Sequence, residues 1–220
     1  MAFSILKSTL LAAGLALSSL AASAQTFPEV VANPGIPLTW LGLDFSGVKY
    51  IGDAMTVEPA EMKGLFTRMN ELMLKESDKY DLAEAFHRTG KVTYSYNVAE
   101  KVNEKIDPAT LITSDIGQRN RFNVEKINSM VSNYTLPEGS QGVGLVFVME
   151  DLVKPKEEAV FWVTFVDLAS KKMLYTEKIA GTAAGFGFRN HWAGGVHDAL
   201  KTIKSRKYAE WKKKYVPKGK

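Results

Sequence analysis

The 220-residue chain contains no cysteine. That excludes disulfide scaffolds, thiol nucleophiles, iron–sulfur clusters, cysteine-type zinc sites and an acylated lipobox cysteine. Histidine is scarce as well: only His87, His191 and His197 occur. The last two are six residues apart, on different helix faces rather than at the i, i+4 spacing of a zinc helix, so no metal site and no cofactor is expected. After residue 24 no stretch approaches the roughly 20 apolar residues that span a bilayer. No nucleophile elbow is present either, because Glu138-Gly139-Ser140-Gln141-Gly142 lacks the first glycine of G-x-S-x-G.

What is present describes a foldable chain, 45% apolar and 24% charged. Residues 1–24 combine Lys7, a short apolar stretch from Leu10 to Leu20, and the small residues Ala22 and Ala24 around Ser23. This is the pattern of a signal peptide, and it predicts an exported, periplasmic or extracellular protein that is not lipid-anchored, with a mature chain beginning at Gln25. The mature remainder suits a single domain over 38–208, preceded by an extended leader, 25–37, with three prolines and a glycine. Charge is uneven. Residues 201–220 hold nine basic residues and one acid, for a net of +8, whereas 25–200 hold 18 basic and 23 acidic residues, for −5. The basic balance therefore belongs to a C-terminal tail, 209–220, and not to a folded basic face, which argues against a nucleic-acid partner.

Apolar spacing predicts a helix from Pro59 to Lys75 through Met62, Leu65, Phe66, Met69, Leu72 and Met73. Leu38–Phe45 and Val48–Ile51 read as one strand interrupted at Ser46-Gly47. Near-continuous apolar runs at Val143–Met149 and Ala159–Val166, then Met173–Ile179, read as three strands joined by short turns, an antiparallel meander. A final helix is expected from about His191 to Tyr208. Helices grouped before and after the meander predict an α+β fold, a single-domain α/β sandwich whose mixed sheet is mostly antiparallel.

The stretch AVFWVTFVDLASKKMLYTEKIAGTAAG, followed by a helix carrying Val196, Ala199, Leu200 and Ile203, resembles the closing part of exported bacterial envelope proteins of the TolB amino-terminal and curli-secretion-lipoprotein type. There a strand ending in a "VD" pair, a turn, a second strand and a small-residue segment precede a last helix. The resemblance covers about 50 residues and implies a fold and a compartment, but no reaction; the acylated cysteine of the curli-secretion type is missing.

Two candidate binding features stand out. Gly185, Gly187, Arg189 and Asn190 precede the final helix, where free backbone N–H groups can hold an anion. The competing reading makes the glycines a close strand–helix junction, Asn190 the N-cap, and Phe186, Phe188 and Trp192 core residues. In the tail, Lys207, Trp211, Lys212, Lys213 and Lys214 belong either to a solvated helix end, where Tyr208, Trp211 and Tyr215 cover apolar surface of the sheet, or to a face that meets an anionic surface, and deleting 209–220 is expected to leave the fold nearly intact. Among acids, Asp44 caps the Ser46-Gly47 bend, while Glu150, Asp151 and Asp167 fall at opposite ends of antiparallel strands, too far apart to cooperate in catalysis. The favoured function is a non-enzymatic envelope protein that acts as an accessory or partner-binding subunit, its partner an envelope protein or an anionic surface. The alternative is a periplasmic binding protein or hydrolase for a small anionic ligand.

Overall fold

A computed structural model describes residues 25–52 and 57–217; the signal-peptide reading of 1–24 and the last three tail residues lie outside that range. Seven strands form one curled, half-barrel sheet. They are β1 (Leu38–Asp44), β2 (Lys49–Ile51), β3 (Thr93–Tyr94), β4 (Ile112–Thr113), β5 (Val143–Val153), β6 (Glu158–Asp167) and β7 (Met173–Thr182). β1 and β2 lie end to end along β5, with Leu38 opposite Val143 and Ile51 opposite Val153. β3 and β4 lie outside them in the same way.

The sheet corrects the mostly antiparallel expectation: β1 to β5 all run parallel. The reason lies in the connections. A parallel neighbour needs a crossover, and here helical segments intervene each time: α2 (Pro59–Lys75) and α3 (Leu82–Ala85) before β3, α4 (Asn97–Asn103) before β4, and α5 (Val124–Ser132) before β5. Only β5, β6 and β7 are joined by tight turns and pair antiparallel.

The leader is also corrected. Phe27–Ala32 is a helix, α1, whose first turn is closed by the Thr26 backbone N–H and hydroxyl donating to Glu29 at 2.8 and 2.9 Å. Pro28 is tolerated there because the first helical N–H groups have no partner to lose. Phe27 is buried and stacks on Tyr175 with ring centres 3.9 Å apart.

α1, α2, α3 and the last helices α6 (Gly187–Thr202) and α7 (Tyr208–Tyr215) cover one face of the sheet, burying Phe66, Phe86, Trp192 and Trp211 with Trp40, Phe147, Phe161 and Phe165. α5 and Val98 cover the other over Leu41, Val146, Val148 and Trp162. Between β3 and β4 the outer edge of β1 has no strand neighbour among the described residues, and two buried asparagines take that place. Leu43 N–H donates to Asn70 Oδ1 at 2.6 Å, Phe45 N–H donates to Asn103 Oδ1 at 2.7 Å, and both side-chain amides return a bond to the Leu43 carbonyl. Buried backbone groups need partners, and a side-chain amide offers the donor–acceptor pair of a strand.

Candidate functional site

The glycine-rich connection from β7 to α6 divides into two parts. Its outer glycines serve packing: a Cβ on Gly181 would run into the Gly195 carbonyl, and one on Gly194 into the Ala184 carbonyl. Small residues on both sides thus let α6 lie directly on the strand. Its centre is a tight loop pinned at one end, where Ala183 N–H donates to the Glu157 carbonyl at 2.7 Å and Ala184 N–H to the His191 carbonyl at 3.1 Å. Gly185 and Gly187 hold φ of +130° and +75°, conformations that L side chains avoid. A Cβ on Gly185 would also sit 2.9 Å from the Asn190 carbonyl. Gly185→Val is therefore expected to lower stability by about 1–3 kcal/mol, measurable by urea unfolding.

Between these glycines Phe186 is 95% exposed. This corrects the expectation that it fills the core, which holds for Trp192 and, in part, for Phe188. The helix also begins earlier than expected. Gly187 opens α6 and Phe186 occupies the N-cap, so Asn190 lies inside the helix instead of capping it. Arg189 Nε donates to Asn190 Oδ1 at 3.0 Å. With Lys75 foremost, and Arg68 behind it, Arg189 helps hold the Glu71 carboxyl below its ordinary value.

Arg189 and Asp44 do not converge. Asp44 faces the α5 side, where one carboxylate oxygen accepts from Ser46 N–H at 2.8 Å and the other from the Tyr134 hydroxyl at 2.6 Å. Burial pushes both Asp44 and Tyr134 up. They line a cleft of about 440 Å³ with Ser46, Val102, Lys105, Met130 and Asn133.

Glu150 and Asp151 form a second polar cluster. A bulge in β5 between Met149 and Asp151 breaks the alternation of faces, so both acids meet the 119–122 segment. Glu150 accepts from Phe122 N–H at 2.7 Å and Trp162 Nε1 at 2.9 Å and pairs with Lys178 at 2.8 Å. Asp151 pairs with Arg121 at 3.2 Å and accepts from Asn120 N–H; burial, the largest influence, leaves its pKa raised. Asp167 lies opposite Val143, at the far end of β5, about 23 Å along the strand. Two-carboxylate chemistry across that distance is excluded.

The basic tail is continuous with α6. A π-helical segment, Ile203–Lys207, joins α6 to α7, so the boundary expected at 209 falls inside a helix. Trp211 is 2% exposed, donates through Nε1 to Glu177, and meets Phe27, Phe86, Phe165 and Tyr175. Lys207 pairs with Glu177 at 2.7 Å and Glu210 at 3.0 Å. Neither is free to meet a surface, contrary to the surface-binding reading. Lysines dominate this stretch numerically, yet Tyr208, Trp211 and Tyr215 recur at helical spacing on the buried side. Arg88 ties the ends together, donating to the Val30 carbonyl at 2.9 Å, the Phe86 carbonyl at 2.7 Å and the Tyr208 hydroxyl at 2.5 Å. Lys212, Lys213 and Lys214 are exposed, and among the described residues none of them pairs with a carboxylate.

Phe186 is the residue that sequence reasoning missed, although its signal was visible: an aromatic set between two glycines cannot rely on neighbouring side chains for cover. Among the described residues no group of three His, Asp or Glu side chains could hold a metal ion, and no helix is long and apolar enough to cross a membrane. No protein-family model, no curated protein and no solved structure matches the chain.

Proposed function

We propose that this is an exported, non-enzymatic envelope protein that binds a partner through the Phe186 loop. The observation that carries the reading is the 95% exposure of Phe186 between two glycines of positive φ. Leaving such a ring in water forgoes about 1.5–3 kcal/mol that burial would supply, and aromatic anchors of this kind dominate binding energy once a partner covers them. The loop that presents it is hydrogen-bonded to the β5–β6 turn and to α6, so little ordering is required on binding.

The non-enzymatic half rests on the acids. Glu150 and Asp151 are buried beneath the 119–122 segment, and Asp44, although it lines the α5 cleft, has one oxygen on the Ser46 N–H and the other on the Tyr134 hydroxyl, so both oxygens of each carboxylate accept from donors of the fold itself. General acid–base catalysis needs a group within reach of substrate. The A-x-A leader and the resemblance to the TolB and curli-secretion type support the envelope as the compartment. A photoreactive phenylalanine analogue at position 186, expressed in the native host, is expected to give a discrete, saturable crosslinked species. The same analogue at Leu74, another exposed apolar residue, should give none. Equal yields at both positions would contradict the reading.

The exposed lysines 212–214 favour a second, electrostatic contact with the anionic envelope, each worth about 1 kcal/mol near a charged surface. With Trp211 in the core no aromatic is left to insert. Binding to anionic liposomes is expected at low salt, with loss at high salt and in the triple Lys→Gln variant. Salt-independent partitioning would rule this contact out.

A further inference from the structure

Asp167, at the end of β6, is a carboxylate only 4% exposed. One oxygen accepts from the backbone N–H and hydroxyl of Ser170, at 2.7 and 2.6 Å. Among the described residues no lysine, arginine or histidine pairs with it. The donor facing its second oxygen is the backbone nitrogen of Gln25, at 3.5 Å. Burial raises the Asp167 pKa, but the Ser170 and Gln25 donors outweigh it, and the carboxyl is held below its ordinary value. It is thus a buried anion with no cation beside it, an arrangement that proteins ordinarily avoid.

Gln25 is also the first residue after the A-x-A site. Signal cleavage adds water across the Ala24–Gln25 amide: the C–N bond breaks, the carboxylate leaves with the leader, and the freed nitrogen takes up a proton. We infer that Asp167 is the docking site of this new α-ammonium, so that processing completes a buried ion pair at the end of β6. The inference rests on the export reading above. Placement is built in, because the Thr26–Glu29 closure and the Phe27–Tyr175 stack fix the chain immediately after Gln25. An ammonium carries three donors in place of one N–H and can close on the oxygen that the amide only approaches.

A chemical consequence follows. An N-terminal glutamine cyclises when its neutral amine attacks its own side-chain amide carbon and expels ammonia. An amine kept protonated against Asp167 resists that attack, so the mature chain should retain an open glutamine.

The test compares the processed chain, beginning at Gln25, with the same chain retaining Ala24, each with Asp167 and with Asp167→Asn, and adds an N-acetylated Gln25 chain as a control that leaves Asp167 in place. The α-amine should titrate above its ordinary range of about 7.7–8.0 in the processed protein and within that range after Asp167→Asn. The processed chain should melt about 2–4 °C above the Ala24-retaining and acetylated chains, a difference that vanishes with Asp167→Asn. A capping role for Asp167 alone would lower all chains equally and overturn the docking. Intact mass from the native host separates the two claims. A chain that retains residues 1–24 defeats export and docking together, whereas one cleaved at another site, or one that begins at Gln25 without thermal coupling or as the cyclised form, defeats docking alone.

Discussion

Deleting residues 209–220 unfolds the protein instead of trimming a solvated end. Trp211 fills the space between α1, α3 and the sheet, where it meets Phe27, Phe86, Phe165 and Tyr175, and Tyr215 packs edge-on against Phe27 with ring centres 5.3 Å apart. Truncating one buried tryptophan to alanine costs about 3–5 kcal/mol, against a total stability of about 5–15 kcal/mol for an ordinary fold. The deletion removes both rings and leaves Glu177 half-buried without its Trp211 donor. Trp211→Ala should leave a weakened but folded protein, and the deletion a protein with no cooperative thermal transition. A truncated chain that melts like wild type would return the tail to the solvent.

The same contact has a pH signature. Burial raises Glu177, but Lys207, Trp211 and Tyr175 outweigh it and hold the carboxyl below its ordinary value of 4.5. A depressed carboxylate contributes stability that is present above its unfolded pKa and lost as pH falls through the folded one. Loosening of α7 is therefore expected only below about pH 4.5, read as increased amide exchange across 208–215.

Glu150→Ala is expected to destabilise the fold by about 3–5 kcal/mol, the range for breaking a buried pair by removing one partner. The carboxylate gathers Lys178, the Phe122 N–H and the Trp162 indole N–H, and its loss strands the last two, while Lys178 keeps the Asn120 Oδ1 and partial access to water. Glu150→Gln keeps the shape and one acceptor, so a smaller loss is expected from urea unfolding. If Glu150→Ala were as stable as wild type, the cluster would not be structural and a chemical role for its acid would reopen.

Much of this architecture was readable from residue order, and the parts that were not share a cause. β5 and β6 announce themselves through nearly unbroken apolar runs because they are covered on both faces, whereas the half-buried β7 shows only as a mixed segment one short turn after β6. α2 does so because Met62, Phe66, Met69 and Met73 repeat at helical spacing over 17 residues. β3 and β4 have two residues each, too short for any periodicity, and without them the parallel half of the sheet is invisible. The asparagines that replace the missing strand along β1 lie 33 residues apart, and only the folded chain brings them to Leu43. At the candidate site the sequence leaves the glycines open between an anion cradle and a packing junction, because which of them meets backbone and which holds positive φ is set only in the folded chain. Whether Phe186 points in or out depends on φ at its two neighbours. The tail is legible in part: Tyr208, Trp211 and Tyr215 mark a side that can cover the sheet, but not how deeply Trp211 enters the core, which depends on Phe27 and Phe86 from distant segments.

Partner capture by the Phe186→Ser protein tests the central claim most directly. Replacing a ring that touches almost nothing should leave the melting temperature within about 1 °C of wild type, since surface substitutions rarely exceed about 0.5 kcal/mol. Pull-down from the native envelope fraction with wild-type protein should retain the species that crosslinks at position 186, and Phe186→Ser should lose it. Undiminished capture by a stably folded Phe186→Ser protein would show that the exposed ring is not the docking element.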